Sequence, residues 1–190
     1  MQHAPPEPLL RARDLVVRRG RQEDLTLILD YFGRNRAHLA PYSPLPPDNF
    51  HTLDHWRAVL RHADEAFAQD RQAHCFVYSA DQSAVVGVVN LSNFVRGAFH
   101  ACHLGYNIDE TLQGTGRMSA AVEAVVRYAF DELRLHRVMA NYLTDNERSG
   151  RLLSRLGFTR EGIAKDYLRI AGRWRDHVLT SRTNHAWTEP

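Results

Sequence analysis

The run Cys102-His-Leu-Gly-Tyr-Asn-Ile108, followed by Gln113-Gly-Thr-Gly-Arg-Met118 and then by apolar residues at Met118, Ala121, Val122, Val125, Ala129 and Leu133, reads as strand, glycine loop and helix in that order. Glycines let such a loop turn tightly and let a ligand approach its backbone. The free N–H groups and positive dipole end of the helix that follows favour an anion such as a pyrophosphate. Neither G-x-G-x-x-G nor G-x-x-x-x-G-K-[ST] occurs, so the Rossmann and Walker phosphate cradles are excluded. The same glycines would also serve a connection that needs them only for its geometry.

Upstream, Cys75–Ser79 and Ala84–Leu91 read as strands around an Asp81-Gln82-Ser83 turn, the second so apolar that both its faces must be covered. Leu25, Ile28, Leu29 and Phe32 set one helix over Gln22–His38, and Trp56, Val59, Leu60, Ala63 and Phe67 set another over Leu53–Gln69. Between them, Pro41–Phe50 carries four prolines and reads as a stiff loop that borders a binding site. A first strand is expected at Leu15–Arg18, and residues 1–14, Pro-rich and polar, read as a loose leader. Downstream come a strand at Val138–Leu143, a helix at Asn146–Leu156 ended by Gly157, and two strands near Phe158–Ile170 and Trp174–Thr183 around an Ala171-Gly172-Arg173 turn.

A chain of 190 residues makes one domain, here 15–187 after the leader, and the 44% hydrophobic and 24% charged composition excludes disorder and coiled coil. A net charge of +2 is too balanced for a dedicated nucleic-acid binder, so no DNA partner is expected. No stretch approaches the ~20 apolar residues of a membrane helix, and no apolar signal region opens the chain. Two cysteines, Cys75 and Cys102, form no framework and suit a reducing cytoplasm.

Gln113-x-x-Gly116-x-Met118 resembles the Q/R-x-x-G-x-G/A loop with which the GNAT (Gcn5-related) N-acetyltransferases hold the pyrophosphate of acetyl-CoA, departing from it where Met118 replaces Gly or Ala. Gly105-Tyr-Asn-Ile108, Asn146-Glu-Arg-Ser149, Leu156-Gly-Phe158 and Glu161-Gly162 follow the family's order. Within it, Val95–Ala101, Asp109–Gly114, His136–Tyr142, Ala164–Leu168 and Trp174–Thr180 resemble the RimJ-type ribosomal-protein alanine N-acetyltransferases, over about Leu15 to Trp187. The resemblance implies an α/β fold with a mixed, mostly antiparallel twisted sheet of about seven strands and helices on both faces. It implies transfer of acetyl from acetyl-CoA to a protein N-terminal α-amine, that of a small-subunit ribosomal protein, with contact to the small ribosomal subunit or its precursor. Two other readings stand beside this one: acetylation of a small amine, and a ribosome-assembly factor that acts by binding.

An α-amine has a pKa near 8 and must lose a proton before it attacks a thioester. The resemblance places the general base at Glu161, acting directly or through a water, and a modest upward pKa shift would suit it; Asp166 and Asp176 are alternatives. The developing oxyanion needs a donor, and the backbone of Tyr106, Asn107 or Ile108 stands where the family's strands splay apart. Ser149 matches the family's serine near the CoA sulfur, with Tyr142 as competing acid. The expected cofactor contacts are Tyr106, Asn107, Ile108, the loop Gln113, Gly114, Thr115, Gly116, Arg117 and Met118, then Ser119, Asn141, Asn146, Ser149 and Leu152. Arg148, Arg151 and Arg155 share one helix face and would be a solvated row or a phosphate contact. His100-Ala-Cys102-His103 alternates across a strand, and no metal is expected.

Overall fold

The computed structural model describes residues 6–189. One nine-stranded sheet runs in the order β1-β2-β3-β4-β5-β6-β9-β7, with β8 paired to β9. Its strands are β1 Leu9–Ala12, β2 Leu15–Arg19, β3 Ala73–Ser79, β4 Val85–Val95, β5 Ala101–Ile108, β6 Arg137–Met139, β7 Tyr142–Leu143, β8 Thr159–Ile170 and β9 Arg173–Thr183. Every pairing is antiparallel except β5 to β6. That parallel pair requires a crossover. It is α4, Arg117–Asp131.

Alternation along the strands sorts the core into two layers. Leu15, Val17, Cys75, Val77, Cys102 and Leu104 face α4 with its Ala121, Val122 and Val125, and α5 (Glu147–Arg155) adds Leu152 and Leu153. Val16, Phe76, Tyr78 and Val88 face the opposite way, against Ile28 and Tyr31 of α1 (Leu25–Arg34) and Trp56 and Leu60 of α3 (Leu53–Ala68). The strand β4 changes face midway. Val77 pairs with Gly87 but Tyr78 pairs with Val85, so an extra residue bulges there and lets both Val85 and Val88 reach the α1 layer.

A buried ion pair locks the start of α1 to the sheet. Arg18 donates to both carboxylate oxygens of Asp24, at 2.7 and 2.9 Å, and the Tyr78 hydroxyl and the Arg21 amide donate to the same Asp24 side chain at 2.8 Å each. Burial would raise the Asp24 pKa, but the bonds from Arg18, Arg21 and Tyr78 outweigh it and hold the carboxyl below its usual value.

Three expectations are corrected. Leu9–Ala12, read as loose leader, form β1 because their backbone pairs in register with Leu15–Arg18. The helix expected over Gln22–His38 is a 3-10 turn, α1 and a four-residue α2 (Arg36–Leu39), broken at Asn35, whose amide group bonds outside the helix. The strand expected at Val138–Leu143 splits into β6 and β7, so the sheet has nine strands where about seven were expected.

Candidate active site

The site is a fork between β5 and its neighbour. Ala101–His103 pair with Arg137–Met139, and there the ladder stops, because β7 turns away to pair with β9. From Leu104 to Ile108 the strand bonds only to β4. Alternate backbone groups of this segment therefore point into an open cleft. Tyr106, on the α4 and α5 side, meets the hydroxyl of Ser149 at 2.5 Å across the gap. Asn107, on the other side, accepts from the buried Tyr31 hydroxyl of α1 at 2.6 Å.

Ser149 is held by its helix. Asn146 caps α5 by accepting from the Ser149 amide at 3.1 Å, which fixes the serine in the first turn. Beside it Gly150 leaves room for the Tyr142 hydroxyl, since a Cβ there would stand 2.8 Å from that oxygen. The three hydroxyls of Tyr106, Ser149 and Tyr142 thus gather at one cleft wall. Burial pushes the Tyr106 phenol up to about 12, with the Ser149 bond pulling the other way, so Tyr106 keeps its proton at neutral pH.

Beyond β5 the chain forms the glycine loop. Gly114 has φ +74° and Gly116 φ +79°, the second as the cap of α4. Both lie in the left-handed region that a side chain disfavours. The loop is pinned on three sides. Asp109, at the end of β5, caps the turn before it by accepting from Thr111, and it also accepts from Arg34 at 2.8 Å and Asn35 at 3.1 Å. Burial would raise Asp109, yet the bonds from Thr111, Asn35 and Arg34 prevail and hold it far below the usual carboxylate range. Gln113 joins His38 of α2 at 2.8 Å and also bonds Arg148 of α5. Arg13 donates to the Thr115 carbonyl at 2.9 Å, and Arg117 pairs with Asp14 at 3.0 Å.

The departure at Met118 has a packing reason. Its side chain is buried and its methyl lies 3.1 Å from where a Cβ on Gly87 would stand. A glycine in β4 makes the room that the larger residue fills. Ser119 is partly exposed on the first turn of α4, and Leu152 is core. Asn141 is occupied elsewhere, accepting from Thr180 and donating to the Tyr167 hydroxyl at 3.1 Å. Of the arginine row, Arg148 reaches the loop while Arg151 pairs with Glu147.

Glu161 stands apart from the hydroxyl cluster. It pairs with Arg137 of β6 and accepts from Ser181 of β9 at 2.8 Å. Ser181 lies three positions along β9 from Val178, the residue opposite Tyr142, which is about 10 Å at the usual strand rise of ~3.4 Å. The expected upward shift is overturned: the bonds from Arg137 and Ser181 lower the Glu161 pKa. Asp176 is likewise paired, with Lys165 at 2.6 Å, and also accepts the Asp166 amide at 3.0 Å.

Sequence reasoning missed Tyr31, Asn35, Asp109 and the Tyr106 hydroxyl. Only Asn35 left a trace, as a polar residue interrupting an apolar helix face. Cys102 and His103 point to opposite faces, and among the described residues no group of three His, Cys, Asp or Glu could hold a metal ion. No helix among them is long and apolar enough to cross a membrane.

A mixed sheet that forks beside a glycine-opened helix, with polar hydroxyls at the fork, defines an acyl-transfer site of the acetyltransferase class. The chain belongs to the acetyltransferase (GNAT) domain family, which matches residues 14–159. It is 43% identical over 183 residues to the [ribosomal protein uS5]-alanine N-acetyltransferase of Escherichia coli, covering 96% of this chain and 94% of that protein. The crystal structure of ribosomal-protein-S5-alanine acetyltransferase from Vibrio fischeri superposes with a TM-score of 0.92 at 37% identity, covering 96% of this chain and all of that one. Mycobacterium smegmatis RimJ, solved with CoA-disulfide, shares the fold with a TM-score of 0.88 at 24% identity, covering 99% and 93%.

Proposed function

We propose that the protein acetylates the N-terminal α-amine of a ribosomal protein, one that begins with alanine, using acetyl-CoA in the cytoplasm, with the chain from β1 onward acting as one catalytic domain. The identity to the Escherichia coli enzyme across nearly the whole of both chains carries this reading. The loop fits the pyrophosphate: its two left-handed glycines open the amides at the start of α4, and Arg148 and Arg13 bring cations to it. Bound there, acetyl-CoA supplies an activated thioester.

The chain's own groups then divide the work. Of the backbone amides between Tyr106 and Ile108, the alternate ones that do not bond β4 face the open cleft and are the donors for the developing oxyanion. Ser149, bonded to a Tyr106 phenol that is protonated at neutral pH, holds a proton for the departing thiolate, and Tyr142 closes the wall. A thiol has a pKa near 8.5, so the thiolate needs only modest assistance. The amine approaches from the opposite face, which carries Asn107, His103 and, further along the sheet, Glu161. Glu161 stands about 10 Å along β9 from the fork, so it takes the amine's proton through water, and the Arg137 pair that lowers its pKa makes it a weak acceptor.

The Pro-rich loop meets the tip of the β8–β9 ribbon. Ala171 at the β8–β9 turn donates to the Ser43 carbonyl at 2.9 Å, and Leu45 packs on Gly172. The test is acetyl-CoA-dependent turnover on a peptide with a free N-terminal alanine against the same peptide with a blocked terminus and an internal lysine, read by mass and thiol release. One acetyl on the free terminus alone is expected. Transfer to a polyamine or an aminoglycoside, with neither peptide modified, would replace this reading.

A further inference from the structure

The turn between β1 and β2 takes part in the cofactor loop in a way the fold does not require. Arg13 has φ +58°, a backbone geometry that costs a non-glycine residue roughly 1–2 kcal/mol, and it aims its guanidinium at the loop. One N–H donates to the Thr115 carbonyl at 2.9 Å. The same nitrogen lies 3.0 Å from where a Cβ on Gly116 would stand, so the missing side chain of the α4 cap is the space the guanidinium occupies. An arginine has five N–H donors, and Arg13 makes no other hydrogen bond among the described residues. Next to it the Arg117 charge is met by Asp14. Arg13 forms no ion pair among the described residues and acts on the neighbouring Asp14 only through space, although it stands at a helix N-terminus whose dipole is positive. A cation whose nearest carboxylate is already bonded to Arg117, and which stands beside exposed amides, is arranged for a doubly charged oxyanion.

We propose that Arg13 is a ligand of the CoA pyrophosphate, delivered to the loop by the β1–β2 turn and anchored there through Thr115. The inference deepens the cofactor reading above and rests on it. It makes the first hairpin part of the cofactor site, and it gives Gly116 a second reason to be glycine besides its φ. Arg13 binds phosphate oxygens and takes no part in proton transfer.

Calorimetric titration of the protein with CoA, with 3′-dephospho-CoA and with inorganic pyrophosphate tests this without reading activity. Arg13→Ala is expected to weaken CoA and 3′-dephospho-CoA alike by about tenfold or more, to weaken pyrophosphate, and to flatten the salt dependence of log Kd by about one charge. Arg13→Lys is expected to recover part of the loss and most of the salt slope, since it keeps the charge and gives up the fork. An unchanged Kd for Arg13→Ala would overturn the proposal. So would a weaker Kd with the wild-type salt slope, because Arg13 would then only shape the loop. A loss confined to CoA and absent with 3′-dephospho-CoA would move the contact to the 3′-phosphate and overturn the pyrophosphate assignment. Failure of the wild-type protein to bind CoA at all would strike the cofactor reading itself, a distinct outcome.

Discussion

The two halves of the sheet are held in different ways. From β2 to β4 the strands are pressed between helices, and β4 runs Val85 to Val89 with all its side chains buried. Beyond β6, strand β8 is mostly exposed, with only Ile170 fully buried, while β9 is buried at His177, Val178, Thr180 and Ser181. The register of this β8–β9 ribbon slips twice, and its cross-links are surface ion pairs such as Lys165 with Asp176 and Arg175 with Asp145. Strand β9 is tied to the sheet through β6 and β7, but toward the Ala171–Gly172 turn the ribbon is two-stranded, a marginal arrangement in water, and there it leans on the Ser43–Leu45 loop. The cofactor loop hangs from the packed half, and the proposed acceptor side reaches from β5 across to the ribbon. One half can keep its chemistry while the other changes its shape and its partner.

The sharpest way to break that contrast lies in the packed half. Asp24→Ala leaves the Arg18 guanidinium buried without its partner, and we expect a loss of about 3–5 kcal/mol, read as a lower urea midpoint. The pH sign follows from the lowered pKa values. Asp24 and Asp109 both titrate below their ordinary values in the folded chain, so they stabilise it above pH ~4 and lose that contribution as the pH falls through the folded values. The wild-type melting temperature should therefore drop below pH ~4, and Asp24→Asn should drop less steeply. A matched cut in the ribbon, Lys165→Ala, removes only an exposed pair and should cost at most about 1 kcal/mol.

At the fork between the halves the expected effects are on rate. Ser149→Ala and Tyr106→Phe should each lower kcat by roughly tenfold to a hundredfold, at the low end of acid catalysis because a thiolate is a good leaving group. The double variant should be little worse than either single one, since both act through one hydrogen bond. Tyr142→Phe should change kcat less than either. A larger loss for Tyr142→Phe would make it the proton donor, and stopped-flow thiol release would show which.

Much of this was legible in the sequence where a local rule governs. The strand, glycine loop and helix order, the Asn146 cap and the α4 face all follow from periodicity and turn chemistry. What stayed hidden depends on residues distant in sequence that meet only in the fold. Leu9–Ala12 lacks the pattern of a strand and becomes one because β2 offers an edge. Asn35 breaks a helix to bond Asp109 and Glu110, both more than 70 residues away. Tyr106 finds Ser149 only because the ladder beside β5 stops at His103.

Glu161 gives the subtlest test of the contrast, because it sits in the ribbon yet is assigned to chemistry. Its pair with Arg137 is exposed, so Glu161→Gln should cost no more than about 1 kcal/mol of stability. A tuned base near neutral pH contributes 10²–10⁴-fold, and a carboxylate held below its usual pKa must contribute less, so we expect a fall in kcat of only about three- to tenfold. Lowering the competing charge should work in the other direction. Arg137→Gln frees the carboxylate toward its ordinary pKa, which makes it a better proton acceptor, and the relay then predicts kcat at pH 7 no lower than wild type despite the lost ion pair. Equal falls in both variants would mean that the pair merely pins β8 to β6, and that the amine gives its proton to water without help from the ribbon.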